Sequence, residues 1–386
     1  MAHCPASAGR PRFEIADLVR AHRRELEMRR FLTLTQRRVL SAIELCRTAA
    51  LGGHLDVCRQ CGFEQPAYNS CRNRHCPKCQ ALAQERWIAA RSERVLPVGH
   101  FHVVFTLPSE LRALTKAFPR LMFDALFRAA SETLLELGLS RLGGLLAATI
   151  VLHTWTRDLR FHPHVHALVS AGALDDAGGW RPSSIKYLFP VVVLAQVFRG
   201  KMLDSLRHMQ ARGRLQRCDA FQDPEAFERL MARLANLRWC VYAKRPFRRA
   251  EHLLGYLGRY THRVAIANSR LVDVQSDAVT FRTKNGKTET LHPVEFLYRF
   301  VQHVLPDGFK KIRHFGLYAS SQRDLLEAAR CQLSNAVPSC TPPPSWAEQL
   351  RLLTGRDVTR CPRCSAQLEP VPLLDRKARA PPEVAA

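Results

Sequence analysis

Residues 161–169 read Phe161-His162-Pro163-His164-Val165-His166-Ala167-Leu168-Val169. If Val165 to Ser170 continues as a strand, side chains two apart share a face. His164 and His166 then stand together, and Val165 turns into the core behind them. Two neutral imidazoles side by side make half of a divalent-metal site, leaving positions for a third ligand and a substrate oxygen. An isolated His-x-His is more often a pair of surface or core histidines. Here the apolar run Leu145 to Leu152 lies just upstream and reads as a neighbouring strand. Three alternating histidines at the head of such a strand weigh more than the tripeptide alone.

Outward from this stretch the pattern is mixed. Phe101 to Leu107 reads as a buried strand stopped by Pro108, and Ala147 to Thr154 as a second. Between them lie helical stretches Glu110 to Ala117 and Leu121 to Leu137, parted by Pro119. Gly172, Asp175, Asp176, Gly178 and Gly179 mark a turn. Val191 to Met209 and Pro224 to Leu237 read as helices, and Trp239 to Ala243 as a short strand. Val264 to Ala267, Leu271 to Val274 and Ala278 to Arg282 add three strands, with Lys284-Asn285-Gly286-Lys287 as a tight turn. Strands interrupted by helix pairs, without regular alternation, predict an α+β fold with a largely antiparallel sheet. Upstream, residues 12–50 carry apolar side chains at helical spacing: Ile15, Leu18 and Val19, then Phe31, Leu34, Val39, Leu40 and Ile43. Their polar face is arginine-rich (Arg20, Arg23, Arg24, Arg29, Arg30, Arg37, Arg38) and suits either solvent or phosphate.

A cysteine cluster follows: Cys58-x2-Cys61, nine residues, then Cys71-x3-His75-Cys76-x2-Cys79. Two C-x-x-C pairs at this spacing can close a tetrahedral zinc site, with Gly62 and Pro77 suited to the tight turns. The expected ligands are Cys58, Cys61, Cys76 and Cys79. Cys71, His75 and His54 are alternatives, or ligands of a second ion. Four protein ligands leave zinc no open position, so the expected role is structural. Helix-like sequence runs on from Ala81 to Val95, with Arg86, Arg91 and Arg94 facing outward. Near the C-terminus stand a proline-rich linker (Pro338, Pro342, Pro343, Pro344), a helix from Trp346 to Leu353 and an unassigned Cys361-x2-Cys364. The last residues read as disordered.

Lys and Arg outnumber Asp and Glu by 58 to 34 in 386 residues, for a net charge of +24 and a pI near 10.2. A protein this basic ordinarily meets a polyanion, nucleic acid or an anionic membrane. The longest apolar runs, such as Phe189 to Ala195, are too short to span a bilayer, and no N-terminal export signal is evident. The expected location is the cytoplasm. Thirteen cysteines there, six of them in C-x-x-C pairs, point to metal and not to disulfides.

Arg248 to Thr261 reads as a helix despite Gly255 and Gly258. Tyr256 and Tyr260 are four residues apart and share its face, with Arg259 and Arg263 each three residues beyond one of them. Such tyrosines ordinarily only pack. A tyrosine is also a poor nucleophile at its free pKa of about 10. It attacks a phosphodiester when a metal polarises the phosphate and guanidinium groups neutralise the developing charge.

Four motifs stand in order: Tyr68-Asn69-Ser70-Cys71-Arg72-Asn73-Arg74-His75-Cys76-Pro77-Lys78-Cys79-Gln80, Val103-Val104-Phe105-Thr106-Leu107-Pro108, His162-Pro163-His164-Val165-His166, and Tyr256-Leu257-Gly258-Arg259-Tyr260-Thr261-His262-Arg263. Together they resemble the two-tyrosine HUH transposases of IS91-type insertion sequences, from residue 12 to residue 320. The resemblance implies an HUH-nuclease-like central antiparallel sheet flanked by helices, preceded by a small helical zinc-binding module. It implies structural Zn²⁺, a catalytic Mg²⁺ or Mn²⁺, and cleavage of single-stranded element ends through a 5′-phosphotyrosine in rolling-circle transposition. By position, His164 and His166 become ligands of the catalytic metal, and Tyr256 and Tyr260 the nucleophiles. The third ligand stays open between His162, which shares the pair's parity, His102 and His262. The implied division is a helical zinc-binding DNA-recognition domain over 1–95, a catalytic domain over 96–320 and a partly disordered extension over 321–386. The DNA partners would be single-stranded ends and target, met on the bacterial nucleoid. A plasmid replication initiator or relaxase would share this chemistry. A non-catalytic zinc-dependent DNA-binding regulator would explain charge and cysteines, but neither the His-x-His strand nor the paired tyrosines.

Overall fold

The computed structural model describes residues 11–92, 94–184, 186–215, 223–247, 265–333 and 345–373. Helix α1 (Ile15–Arg29) starts at Glu14, whose side chain and that of Asp17 cap each other's backbone. Asn268 Oδ1 accepts a further hydrogen bond from Ile15 N–H at 3.2 Å. Helix α2 (Leu34–Leu45) opens on the same device with Thr33 and Gln36, and the Gln36 amide then reaches on to the Val301 carbonyl at 2.9 Å. The helical spacing read from sequence is correct for Ile15, Leu18, Val19, Val39, Leu40 and Ile43, all buried. Phe31 and Leu34 depart from it: the chain turns extended at Arg30, and they are 87% and 62% exposed. A hairpin of β1 (Gly53–Val57) and β2 (Glu64–Tyr68) follows, then helix α3 (Ala81–Ser92).

The histidine stretch lies on a strand longer than its sequence suggests. Strand β3 spans His100–Thr106, β4 Leu145–Trp155, β5 Phe161–Leu174, β6 Trp180–Pro182, β7 Val241–Phe247 and β11 Ile312–Gly316. They form an antiparallel sheet in the order β11-β4-β5-β3-β7, with β6 adding to β5. Helices α4 (Arg112–Ala117), α5 (Pro119–Leu137), α6 (Val191–Ala211) and α7 (Pro224–Asn236) complete this part. Pro119 occupies the first turn of α5, where its missing N–H costs nothing. One sheet face carries Phe101, Val103, Phe105, Ile150, Leu152, Val165, Ala167 and Val169 into a core with Phe127 of α5 and Phe198 of α6. Each such large apolar side chain contributes about 1.5–3 kcal/mol on burial. By the two-residue alternation of strands, His102, Thr149, His153, His164 and His166 therefore stand on the opposite face.

A second antiparallel sheet joins β8 (Leu271–Val274), β9 (Val279–Arg282) and β10 (Thr288–Leu291) in the order β10-β9-β8. Asn285 and Gly286 turn the chain between β9 and β10 at φ 57° and 76°, the left-handed conformation this pair favours. Helix α8 (Pro293–Val301) follows, and Phe281 meets Phe296 edge-on with ring centroids 5.4 Å apart. These side chains share one core with Ile15, Leu18 and Leu40, so residues from both sides of position 95 pack together. The expected strand over Val264 to Ala267 is not formed at Ala265, Ile266 or Ala267, because Ala265 takes φ 62°. The expected helix over Arg248 to Thr261 lies outside the described residues. Helices α9 (Arg323–Leu333) and α10 (Trp346–Thr354) and strand β12 (Glu369–Pro372) complete the described chain, with β12 paired antiparallel to β1. Among the described residues, no helix is long and apolar enough to cross a membrane.

Candidate metal centre and cysteine clusters

Three imidazoles converge on the histidine face of the large sheet. His153, His164 and His166 each offer a ring nitrogen within 4.8 Å of the other two. Strand parity places two of them together. The third comes from pairing: His153 on β4 lies directly opposite His164 on β5, and opposite residues of an antiparallel pair share a face. His162 has the right parity but is not in this group. The β4–β5 register shifts between His153 and Trp155, so one extra residue of β5 is accommodated at His162 and Pro163, which re-aims that side chain. His162 instead lines the mouth of the site, its ring centroid 5.2 Å from that of His164.

The neighbours of these rings define which nitrogen is available. His164 Nδ1 donates to the His162 carbonyl at 2.6 Å, leaving Nε2 to accept. His166 Nδ1 lies 2.7 Å from His102 Nε2, and with the proton on His166 Nδ1 its Nε2 also points a lone pair outward. His102 thus stands behind His166, where an orienting partner of a metal-binding imidazole would stand. Burial drives all of these rings toward the neutral form a metal needs. It brings His164 down to about 4, and His102 to about 4 with help from Lys244. Burial, then His164 and His102, hold His166 well below the ordinary range, and burial does the same for His153.

The site opens into a cavity of about 670 Å³ between the β4–β5 end of the large sheet and the β9–β10 turn. Its walls include Arg157, Lys284 and Lys287, with Asp158 and Glu289 as the acidic members. Arg160 pairs with Asp158 at 2.9 Å and Arg299 with Glu289 at 2.8 Å, so the unneutralised charge of the wall is positive. A buried floor of neutral imidazoles under a basic rim suits a metal-bound phosphate.

Among the described residues eight cysteines fall into two groups, which corrects the expectation that Cys58, Cys61, Cys76 and Cys79 form one. Cys71, Cys76 and Cys79 converge with Cys46, and Cys58 and Cys61 with Cys361 and Cys364. The β1–β2 hairpin is the reason. Its five-residue strand carries Cys58 and Cys61 about 16 Å from its base. The returning chain is held at that base by Asn69 N–H to the Gly52 carbonyl and Arg47 N–H to the Asn69 carbonyl, at 2.9 and 3.0 Å. Cys71 therefore comes back beside Cys46, its N–H 3.4 Å from Cys46 Sγ and its own sulfur 3.7 Å from that of Cys79. Hydrogen bonds from Cys71, Cys76 and Cys79 hold Cys46 far below the ordinary thiol range, while Cys46, Cys71 and Cys79 push Cys76 up. Thiols crowded this way ionise unequally, and a divalent cation is what lets all four ionise together. His75 is outside both groups. Its Nδ1 donates to Asn73 Oδ1 at 3.0 Å and its Nε2 accepts from Leu305 N–H at 3.2 Å, so both nitrogens are engaged. His54 pairs with Asp56 at 3.2 Å.

Tyr256, Arg259, Tyr260, His262 and Arg263 lie outside the described residues. Sequence reasoning missed His153 and Cys46 and left Cys361 and Cys364 without partners. The hairpin 155–161, whose Thr156 N–H bonds the Arg160 carbonyl at 3.1 Å, was the available signal for His153. Cys46 offered none, being a single cysteine at the end of α2.

Residues 147–324 match a family model described as "Putative transposase", and residues 18–107 one described as "Transposase zinc-binding domain", of the IS91 type. The chain is 41% identical over 369 residues to "Putative transposase y4qJ" of Sinorhizobium fredii (strain NBRC 101917 / NGR234), covering 91% of this chain and 92% of that one. It is 29% identical over 342 residues to "Transposase for insertion sequence element IS801" of Pseudomonas savastanoi pv. phaseolicola, covering 84% and 80%. No solved structure matches it. A transposase model over the histidine strand, a zinc-binding model over the first six clustered cysteines and near-full-length relatives leave one placement: the chain belongs to the IS91-type transposases with an N-terminal zinc-binding domain.

Proposed function

We propose that this transposase nicks and rejoins single-stranded DNA at the ends of its element through a 5′-phosphotyrosine, in rolling-circle transposition. The observation that supports this reading is the convergence of His153, His164 and His166 under a basic cavity. These three neutral imidazoles would hold a divalent cation, Mg²⁺ or Mn²⁺, with His102 fixing the orientation of His166. When bound, the cation supplies Lewis-acid polarisation of the scissile phosphate.

The remaining roles belong to the chain. Arg157, Lys284 and Lys287 draw the phosphate backbone into the cavity. Tyr256 or Tyr260 gives up its phenolic proton and its oxygen bonds to phosphorus. The 3′-oxygen of the neighbouring nucleotide leaves and takes a proton, and the 5′ end stays on the protein. Arg259 and Arg263 neutralise charge on the phosphoryl oxygens. Rejoining is the reverse: a 3′-hydroxyl attacks the phosphotyrosine and frees the phenol, so the bond energy is conserved. The second tyrosine allows a second strand to be held before the first is released. Cys46, Cys71, Cys76 and Cys79 hold a structural zinc in the N-terminal part, and the protein works on the nucleoid in the cytoplasm.

Labelled single strands carrying the element ends, incubated with Mn²⁺, test the reading. H153A and the double H164A/H166A should lose cleavage while retaining DNA binding in a filter assay. Undiminished cleavage by H153A would remove the third ligand from the scheme, and undiminished cleavage by the double variant would remove the site.

A further inference from the structure

The second cysteine group draws its ligands from positions about three hundred residues apart. Cys58 Sγ lies 3.4 Å from Cys364 Sγ, and Cys61 Sγ 3.5 Å from Cys361 Sγ. A disulfide holds its sulfurs at about 2.05 Å, so these are not disulfides. Four sulfurs around one zinc, at about 2.3 Å each, stand about 3.8 Å apart. All four lie within 4.8 Å of one another.

The backbone around them is the same structure built twice. Cys58 N–H bonds the Phe63 carbonyl at 2.8 Å and Gly62 N–H the Cys58 carbonyl at 3.0 Å. Cys361 N–H bonds the Ala366 carbonyl at 2.7 Å and Ser365 N–H the Cys361 carbonyl at 2.9 Å, at the same offsets. Gly62 and Ser365, each one residue past its C-x-x-C, are both left-handed, at φ 67° and 62°. Glycine takes that conformation freely, whereas serine holds it against strain of about 1–2 kcal/mol. Strain of that kind persists where surroundings over-determine the backbone. The surroundings here tie the two knuckles together. β12 pairs with β1 from His54↔Pro372 to Val57↔Glu369. Arg59 binds Glu369 at 3.0 Å, and the Arg363 guanidinium sits 5.3 Å from the Phe63 ring centroid. Arg86 of α3 donates to Gln349 of α10 at 3.3 Å.

We propose that Cys58, Cys61, Cys361 and Cys364 form a second structural zinc site, in which segment 345–373 is the closing half of a zinc ribbon begun at β1 and β2. The zinc-binding family model ends at residue 107, so half of this site lies beyond it. Zinc here closes a loop around the whole catalytic sheet and makes the docking of segment 345–373 depend on metal. The site stands on thiol geometry and is independent of the chemistry at the histidines.

The full chain, purified with zinc, is first equilibrated with a chromogenic chelator and then titrated with a thiol-modifying mercurial, and the increment released by the mercurial counts the thiolate-bound zinc. The wild type should release two zinc ions per chain. C361S/C364S and C58S/C61S should each release one, and the variant lacking all four cysteines should also release one, because both pairs serve the same ion. One ion from the wild type, or two from C361S/C364S, overturns the proposal. If those variants fold poorly, limited proteolysis of the wild type decides. Chelation that removes the second ion should expose segment 345–373 to cleavage, and an unchanged digest would refute the ribbon.

Discussion

His102→Leu isolates the contribution of one buried contact to metal affinity. His102 Nε2 and His166 Nδ1 are 2.7 Å apart, and both side chains are buried. In the proposed site His166 presents its Nε2 lone pair only while its Nδ1 keeps the proton, which makes His102 Nε2 the acceptor there. Leucine removes the acceptor and leaves a buried N–H facing methyl groups. Two costs follow. Native stability should fall by about 1–3 kcal/mol, the penalty for a buried donor left unsatisfied. Metal affinity should fall roughly 10- to 100-fold, the usual effect of removing a ligand's outer partner, or about 1.4–2.7 kcal/mol. His102→Gln restores an acceptor oxygen near the same place and should recover most of the affinity. Free Mn²⁺ followed by electron paramagnetic resonance during titration gives the constants, and thermal unfolding without Mn²⁺ gives the stability term separately. Wild-type Mn²⁺ affinity in His102→Leu, with the protein folded, would refute the assignment of His102 as the orienting partner.

Three other outcomes follow from the structure. Gly316 is left-handed at φ 58°, and a Cβ there would meet the Leu146 carbonyl at 1.8 Å, so Gly316→Ala should destabilise by about 2–5 kcal/mol in denaturant titration. Burial brings His100 and His303 down to about 4. The unfolded chain, with histidines near 6.5, therefore takes up protons that the native state refuses. Stability should be full above pH about 6.5 and fall as the pH drops toward 4, by about 1.4 kcal/mol per pH unit for each such histidine; a flat melting temperature across that window would contradict the burial. Lys284→Ala with Lys287→Ala should weaken binding of single strands and flatten its salt dependence, the slope falling by roughly 0.7 for each phosphate no longer neutralised. An unchanged slope would place the DNA elsewhere.

Local periodicity carried much of the architecture. The apolar positions Ile15, Leu18, Val19, Val39, Leu40 and Ile43, the strand parity of His164 and His166, and the Asn285-Gly286 turn are each set by residues within a few positions of one another. What the sequence concealed is long-range. His153 joins the site through hairpin register, and a one-residue shift in the same ladder removes His162 from it. Cys46 and the Cys361–Cys364 pair reach their partners through tertiary packing and β1–β12 pairing, which C-x-x-C spacing does not encode. The spacing alone favoured the nearest four thiols, and the β1–β2 hairpin separates them. The core shared by α1, α2 and α8 is equally invisible locally, since each helix shows its apolar face without showing what covers it.

The covalent complex reports most directly on the chemistry. Wild-type protein mixed with a labelled single-stranded element end and Mn²⁺ should yield, after denaturation, a protein–DNA adduct, with peptide mass spectrometry locating the 5′-phosphate on Tyr256 or Tyr260. Y256F or Y260F alone should retain some nicking and lose complete strand transfer, because one phenol suffices for the first cut. Y256F/Y260F should form no adduct, and since each change removes only a hydroxyl, packing stays nearly as it was. An adduct persisting in the double variant would contradict the phosphotyrosine assignment and place the nucleophile elsewhere, with Tyr242 and Tyr298 next to be tested.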